Sequence, residues 1–166
     1  MSDPVTLRET TEADARAVQR VADAACHAVY DDILGEGVTD DIVRNWYDPE
    51  RLVADDIEPE GRPFFVAAVD GTVVGFAEGI REDARTADLY RIYVHPDHWG
   101  DGVGSALLDR LERHFADAGV ERLFVSVLAD NDVGVAFYES VGFEHVETTT
   151  DEQFDVPRAE YVKDLD

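Results

Sequence analysis

The sequence places three glycines at alternate positions, Gly100, Gly102 and Gly104, between a β-rich run and a helical pattern. The run before them, residues 89–94, is rich in Leu, Tyr, Ile and Val, which predicts a strand. After the glycines, apolar residues recur every three or four positions up to Gly119, which indicates a helix with one buried face and a glycine at its carboxyl end. A strand, a glycine loop and a helix that follow one another without a gap restrict the fold more than any other feature.

Glycines directly before a helix let the backbone turn tightly and bring free N–H groups close to an anion, at the end of the helix where the macrodipole is positive. The loop is therefore a candidate phosphate-binding site. A Walker loop requires Gly-Lys-Ser/Thr, but the single lysine, Lys163, has no glycine before it. A dinucleotide-binding turn has the spacing G-x-G-x-x-G directly after the strand, whereas here residues 95–99 intervene and the spacing is G-x-G-x-G.

Two blocks of sequence resemble the GCN5-related N-acetyltransferase (GNAT) family. The segment 99–104, WGDGVG, is similar to the loop Q/R-x-x-G-x-G/A of the family's acetyl-CoA-binding core, with Trp99 at the position of the polar residue. The segment 131–143, NDVGVAFYESVGF, is similar to the helix N-x-x-A-x-x-F-Y-E-x-x-G-F, with Gly134 in place of Ala. More loosely, the resemblance extends over nearly the whole chain.

The resemblance implies that acetyl-CoA is the acyl donor and that one strand, one loop and one helix bind it. The pantetheine arm would pair with the backbone of Ile92, Tyr93 and Val94. The pyrophosphate would be held by the loop residues Gly100, Asp101, Gly102, Val103, Gly104 and Ser105. Asn131 and Phe137 would contact the arm from the other side.

The same resemblance gives Tyr138 the role of general acid in a direct attack of an amine on the thioester. Acetyl transfer requires the departing thiolate to be protonated, and a phenol with a pKa near 10 is suited to a thiolate whose conjugate acid has a pKa of about 8 to 9. The alternative is that Tyr138, next to Phe137 on an amphipathic helix, only packs in the core. Within the second block we favour catalysis.

Glu78 is the candidate general base, because it lies in an otherwise apolar strand where burial would raise the pKa of its carboxyl group. The equally weighted alternative is an exposed residue of a half-solvated strand. In the family, a strand glutamate often acts through water, and some members need no such residue. Tyr90 and Tyr93 are candidates to line the acceptor pocket.

The chain carries 14 Lys and Arg against 38 Asp and Glu, a net charge of −24 over 166 residues. Periodic apolar segments argue against disorder, so we interpret the acidity as adaptation to a very salty cytoplasm, where the Debye length falls to about 3 Å near molar salt. A nucleic acid partner is not expected, since it would require a basic face. The absence of an apolar leader or spanning segment predicts a soluble, cytoplasmic protein with no membrane partner.

The element order is predicted as β, α, α, β, β, β, α, β, α, β, β in a single domain over residues 1–166. Strands are expected at 5–8, 64–69, 73–80, 87–94, 122–128, 143–147 and 155–162, and helices at about 11–30, 40–46, 103–118 and 132–141. Residues 48–63, which contain three prolines and a glycine, are expected to form a loop with at most one helical turn. This order indicates an α/β fold of the GNAT type, with a mixed, mostly antiparallel twisted sheet of six or seven strands flanked by about four helices.

The acceptor is a primary amine of a small molecule or peptide on this interpretation, and its identity stays open. In this architecture the acceptor site is framed by Tyr30, Asp31, Asp32, Trp46 and Tyr47, of which the aromatic residues are more typical of helix packing. The alternative function is a non-catalytic module that senses acyl-CoA, which the Trp at position 99 leaves open. A homodimer is possible from the family. Two histidines, at 95 and 98, have no third ligand evident, so no metal is expected.

Overall fold

The computed structural model describes residues 4–165 and contains seven strands and five α-helices. The strands are β1 Val5–Glu9, β2 Phe64–Val69, β3 Thr72–Arg81, β4 Thr86–Val94, β5 Arg122–Leu128, β6 Glu144–Thr150 and β7 Pro157–Asp164. The helices are α1 Ala15–Leu34, α2 Glu36–Trp46, α3 Pro49–Leu52, α4 Val103–Asp117 and α5 Asp132–Ser140. Across residues 4–165, no helix combines the length and the apolar character that a membrane span would need.

The strands form one sheet in the order β1-β2-β3-β4-β5-β7-β6. All neighbours are antiparallel except β4 and β5, which are parallel. The predicted mixed, mostly antiparallel fold is confirmed. The β2–β3 hairpin turns at Asp70 and Gly71, whose φ angles of 51° and 80° are those that a tight two-residue turn requires.

Helices cover both faces of the sheet, which explains why β2 reads as a continuous apolar run rather than an alternating one. Phe64 and Val66 face a core shared with α1 and α2, and Phe65 and Ala67 face a second core shared with α4. Cys26 of α1 is buried in the first of these cores, as expected for a small apolar residue.

The segment after α2 is more helical than predicted. Asp48 caps α3 by accepting a hydrogen bond from the Arg51 N–H (3.2 Å), and Pro49 occupies the first turn, where its missing N–H costs nothing. A π-helical turn, Val53–Ile57, follows directly. The prediction of a loop with at most one helical turn was therefore wrong, because Asp-Pro begins a helix here instead of ending one.

The parallel pair β4–β5 separates after three residues. Thr86, Ala87 and Asp88 pair with 122–124, and no pairing with β5 continues beyond Asp88 in β4. The remaining halves of the two strands diverge and leave a cleft in the middle of the sheet. The functional site is built around this cleft.

Candidate active site

A cavity of about 480 Å³ occupies the cleft between β4 and β5. Its walls come from α1, the carboxyl half of β4, the glycine loop with the first turn of α4, β5, and α5 with its cap. The lining residues are Ala25, Val29, Tyr30, Tyr90–Val94, His98–Gly100, Gly102–Ser105, Val125–Val127, Asn131, Val133, Gly134, Phe137 and Tyr138.

No Asp or Glu is among the described residues that line this cavity, although 38 of the 166 residues are acidic. Among the lining residues that the structure describes, Arg91 alone carries a permanent charge. Asp101 belongs to the glycine loop but does not line the cavity. A protein with a net charge of −24 thus keeps this one surface free of carboxylates, which suits an anionic ligand.

The backbone of β4 offers hydrogen-bonding groups to the cavity. The N–H of His95 donates to the Val74 carbonyl of β3 (2.8 Å). Because the bonding side alternates along an antiparallel strand, Tyr93 also turns its backbone toward β3, while Ile92 and Val94 turn theirs toward the cleft. An extended ligand in the cleft could therefore pair with this strand as a missing β neighbour would.

The glycine loop leaves the amino end of α4 open. Gly100 and Gly102 have φ angles of 83° and 82°, a left-handed conformation that favours glycine. The first intrahelical bond runs from the N–H of Ala106 to the Gly102 carbonyl, and no side chain caps the helix. The preceding N–H groups, 103–105, are therefore free to bind an anion at the positive end of the helix.

Trp99, at the position where the family motif has Gln or Arg, ties the loop to the strand. Its indole Nε1–H donates to the Val94 carbonyl at 2.8 Å, and the residue is 39% exposed at the edge of the cavity. The side chain thus contributes an apolar wall and occupies one of the backbone acceptors on the open side of β4.

Asn131, Gly134 and Phe137 form the opposite wall. The Asn131 Oδ1 caps α5 by accepting from the Gly134 N–H (2.9 Å), so its Nδ2 is the group available to a ligand. A Cβ at Gly134 would lie 2.8 Å from that Nδ2, which explains the glycine where the family motif has Ala. A Cβ at Gly104 would lie 3.1 Å from the Phe137 ring, so the third glycine of the loop is needed for close packing of α4 against α5.

Tyr138 lines the cavity and is otherwise buried. Its ring packs against Phe137 and Phe143, each with a centroid distance of 5.6 Å. Burial, reinforced by the nearby Tyr30, raises the pKa of Tyr138 well above its usual value, so the hydroxyl stays protonated at neutral pH. No side chain within residues 4–165 hydrogen-bonds this hydroxyl, which leaves the proton available to a ligand.

Tyr30 and Tyr93 join α1 to β4 through their hydroxyl groups, which lie 2.7 Å apart. Both residues and Tyr90 line the cavity. Of the five residues expected to frame the acceptor site, Tyr30 alone lines the cavity. Tyr47 is buried in the core beneath α2, and Trp46 packs on Phe154.

Glu78 is fully buried on β3, so the alternative of an exposed strand residue was wrong. Its Oε2 lies 2.7 Å from Nη2 of Arg62, while its Oε1 has no hydrogen-bond partner and lies 3.9 Å from Nε of Arg91. Burial and the neighbouring Asp56 raise the pKa of Glu78 to about 8, against the opposing effect of the two arginines. Glu78 does not line the cavity, but Arg91, its partner across the strands, does.

The structure thus brings ten of the eleven predicted cofactor residues to one cavity, all but Asp101, together with Tyr138. Tyr93 is one of the ten, but its backbone faces β3, so the prediction that this backbone pairs with the pantetheine arm was wrong. Sequence reasoning did not assign Ser126 or the α1 residues Ala25 and Val29 to the site. No local signal marks these three residues, because they reach the cavity only through the divergence of β4 and β5.

One group of possible metal ligands lies elsewhere. Asp23, His27 and Asp40 bring ligand atoms within 4.8 Å of one another where α1 meets α2, and none of them lines the cavity. The Nε2 of His27 lies 2.9 Å from the Asp40 carboxylate, and its Nδ1 lies 2.8 Å from that of Asp31. An ion-paired histidine accounts for this arrangement.

The chain is similar to several solved acetyltransferase structures. PaiA N-acetyltransferase from Thermoplasma acidophilum, in complex with coenzyme A, is 24% identical over 99% of both chains, with a TM-score of 0.84. The ribosomal-protein-S18-alanine N-acetyltransferase from Escherichia coli is 22% identical over 98% of this chain and 94% of its own, with a TM-score of 0.73. The structure of yncA from Salmonella typhimurium with its cofactor acetyl-CoA is 23% identical over 98% of this chain and 95% of its own, with a TM-score of 0.68.

The sequence itself gives the same result as the structural comparison. The family model described as acetyltransferase (GNAT) family matches residues 24–143, which is most of the chain and includes the glycine loop and the Tyr138 helix. With the divergent β4–β5 pair and the open amino end of α4 in place, this match shows that the chain belongs to the GNAT family of acetyltransferases.

Proposed function

We propose that this protein transfers the acetyl group of acetyl-CoA to a primary amine of a small molecule or a peptide. The observation that carries the proposal is the cavity itself, which is free of carboxylates, has uncapped helix N–H groups at one end and holds the Tyr138 hydroxyl. The related structures of PaiA with coenzyme A and of yncA with acetyl-CoA support the choice of cofactor.

In the proposed binding mode, the pantetheine arm lies along β4 and pairs with the backbone groups of Ile92 and with the N–H of Val94, since the Val94 carbonyl accepts from Trp99. The pyrophosphate lies at the amino end of α4, within reach of the free N–H groups at 103–105. Asn131 Nδ2 and the Phe137 ring contact the arm from α5. Because these contacts come largely from the backbone and from helix dipoles, they do not require a basic surface.

In the proposed reaction, the neutral amine attacks the thioester carbonyl carbon and forms a tetrahedral intermediate. The C–S bond then breaks, and the departing thiolate takes the Tyr138 proton. The burial that keeps the Tyr138 phenol neutral would also raise the pKa of the coenzyme A thiol when it is bound there. The pKa values of the phenol and the thiol therefore remain close to each other. The proton lost by the amine passes through water to Glu78, whose carboxylate is held by Arg62 behind the cavity wall.

The test is the release of free thiol when the protein is incubated in molar KCl with acetyl-CoA and a panel of primary amines. In the variant Tyr138→Phe, which keeps the ring packing, kcat should fall by about 100-fold or more, as for the loss of a general acid, while acetyl-CoA affinity stays unchanged. The matched control is Tyr161→Phe, which removes the hydroxyl of a buried tyrosine outside the cavity and should leave kcat intact.

Acetyl-CoA binding without thiol release for any amine would overturn the catalytic proposal and favour a module that senses acyl-CoA. Equal losses of turnover and of cofactor binding in Tyr138→Phe would show that the tyrosine packs against the arm instead of donating a proton.

A further inference from the structure

We infer that Arg91 selects acceptor amines that also carry a carboxylate, so that the substrate is an amino acid or a molecule with the same pair of groups. The inference rests on the proposed acetyltransferase function and adds the class of acceptor. It follows from the position of one guanidinium, the donors that it leaves unpaired and the absence of acids among the described residues that line the cavity.

In the proposed binding mode, Arg91 lies on the acceptor side of the cavity. It is three residues before Val94, after which the chain leads to the glycine loop, so it is separated from the predicted pyrophosphate site along the strand. Its side chain shares a face of β4 with Tyr93, the face covered by α1 and α2, and both residues line the cavity. Tyr90 of β4 has no paired residue in β3, because Glu78 pairs with Arg91 and Gly79 with Leu89. This bulge changes the direction of the neighbouring side chains of β4.

The guanidinium is fixed in place but incompletely paired. It lies over the rings of Tyr47 and Tyr90, at 4.5 Å and 4.6 Å from their centroids. Its Nη1 donates to the Trp46 carbonyl (3.2 Å) and its Nη2 to the Tyr90 hydroxyl (3.4 Å). A guanidinium has five N–H donors, so three have no hydrogen-bond partner among the described residues, although the side chain is only 9% exposed.

The two carboxylates behind Arg91, Glu78 and Asp56, pair more closely with Arg62 than with Arg91. The nearest carboxylate, Glu78, lies 3.9 Å from its Nε, beyond hydrogen-bonding distance, and pairs more closely with Arg62. Within residues 4–165 no acid lines the cavity, and neither Asp31 nor Asp32, which sequence reasoning placed near the acceptor, reaches it. A polyamine would therefore meet a like charge and no counter-charge, whereas a carboxylate would find a rigid, planar donor fork in a desolvated site.

The walls next to Arg91 are aromatic. Tyr30, Tyr90 and Tyr93 line this part of the cavity, and the Tyr30–Tyr93 hydroxyl pair supplies a polar edge. An acceptor with an aromatic body can pack on these rings with its carboxylate on Arg91. Aromatic amino acids are the natural first probes.

The experiment compares matched pairs that differ only in the carboxylate: phenylalanine with phenylalaninamide and tryptophan with tryptophanamide, with spermidine as a polycation. Thiol release gives kcat/KM for each acceptor. We expect the acid to be preferred over its amide by about tenfold or more, as for a charge-assisted pair, and Arg91→Gln to reduce that ratio to near one. Arg91→Lys keeps the charge near Glu78 but loses the planar pair of guanidinium donors, so it should give an acid-to-amide ratio between those of the wild type and Arg91→Gln. This variant replaces Arg91→Gln if that protein does not fold.

The control variant is Arg62→Gln. Arg62 belongs to the same ion-pair network, through Glu78 and Asp56, but does not line the cavity. Whatever it does to the overall rate, it should leave the ratio of acid to amide unchanged. This separates recognition by Arg91 from general damage to the network.

Binding of each acid and amide to the coenzyme A complex is measured by calorimetry as well, because that comparison needs no turnover. Preference for the acid in binding, lost in Arg91→Gln, supports the inference even if no amine is acetylated and the catalytic proposal fails. Preference for the amide or for spermidine, or a ratio that Arg91→Gln leaves unchanged, overturns the inference while any thiol release still supports the enzyme. A rise confined to the KM of acetyl-CoA in Arg91→Gln also overturns it.

Discussion

Trp99 commits its indole N–H to the Val94 carbonyl, at the point where β4 passes into the glycine loop. Trp99→Phe keeps an aromatic wall but removes this hydrogen bond, whose net value of about 1 kcal/mol corresponds to roughly a fivefold change. We expect the KM of acetyl-CoA to rise by about that factor, with kcat nearly unchanged, because the bond positions the loop and does not touch the acyl group. Steady-state kinetics would check this.

Trp46→Phe is the control for Trp99→Phe, since Trp46 packs against Phe154 and does not line the cavity. It also leaves Trp99 as the single tryptophan, so cofactor binding can be followed by its fluorescence. A loss of kcat at constant KM in Trp99→Phe would contradict a positioning role.

Glu78 provides a prediction about pH. Burial and Asp56 raise the pKa of its carboxyl group to about 8, so a base at this position gains activity as the pH rises and reaches a plateau above about 8. Glu78→Gln should lower kcat and remove this limb of the profile. Asp56→Asn should move the limb to lower pH, because Asp56 contributes to the raised pKa. If the rise of kcat with pH stays the same in both variants, a group other than Glu78 accepts the proton.

Individual residues were predictable from sequence where they belong to a contiguous motif. Tyr138 and the loop glycines could be identified because neighbours in the chain fix their setting. The apolar run around Glu78 left its burial and its exposure equally weighted. Its partners Arg62 and Arg91 are 16 and 13 positions away and meet it only through the hairpin and the bulge of β4. Side-chain pairing of this kind is not encoded in local spacing.

At the level of elements, α1 and α2 share an apolar core, and His27 adds a charged contact between them. Burial alone would lower the pKa of this histidine, but its contacts with Asp31, Asp23 and Asp40 outweigh burial and raise it. A raised pKa in the folded state means that the stabilisation is complete below the unfolded value of about 6.5 and is lost as the pH rises through the folded value. The ionised histidine thus links α1 to α2 through Asp40.

His27→Gln should therefore lower the melting temperature at pH 6 and have little effect at pH 9. Thermal unfolding of both proteins across this range measures the difference. His145→Gln is the matched control, because the ring of His145 contacts the Thr148 hydroxyl and no carboxylate. A destabilisation by His27→Gln that is equal at pH 6 and pH 9 would mean that packing, not charge, links the helices.

The helices and strands differ from prediction mainly where tertiary contacts determine the local conformation. The predicted start of α2 at position 40 missed its first turn, which begins after Gly35 with a φ of 92°. Residues 49–57 became helical because Leu52 and Asp56 are buried against the rest of the protein. The early divergence of β4 and β5 has no local signal in either strand, and only the family resemblance implied it, through a pantetheine arm that pairs with residues 92–94. It is nevertheless the feature that creates the site.

At the scale of the whole molecule, charge is segregated in a way that composition cannot reveal. The chain has 38 acidic residues, yet none of those described lines the cavity. Uniform acidity would repel an anionic cofactor, whereas a carboxylate-free cleft with exposed helix N–H groups can accept one once the long-range field is screened. Salt should therefore both stabilise the folded state and strengthen binding of the anionic cofactor.

We propose that the acidity is an adaptation to high salt, and we expect the folded state to need it. At 0.1 M salt the Debye length is about 10 Å, so a net charge of −24 repels itself across the surface, and near 1 M it falls to about 3 Å. The melting temperature should rise between 0.1 M and 2 M KCl. Sucrose is the control, because as an excluded osmolyte it stabilises compact states without screening charge. A melting temperature that is unchanged in KCl, or that rises equally in sucrose, would mean that charge repulsion does not limit the stability of this fold.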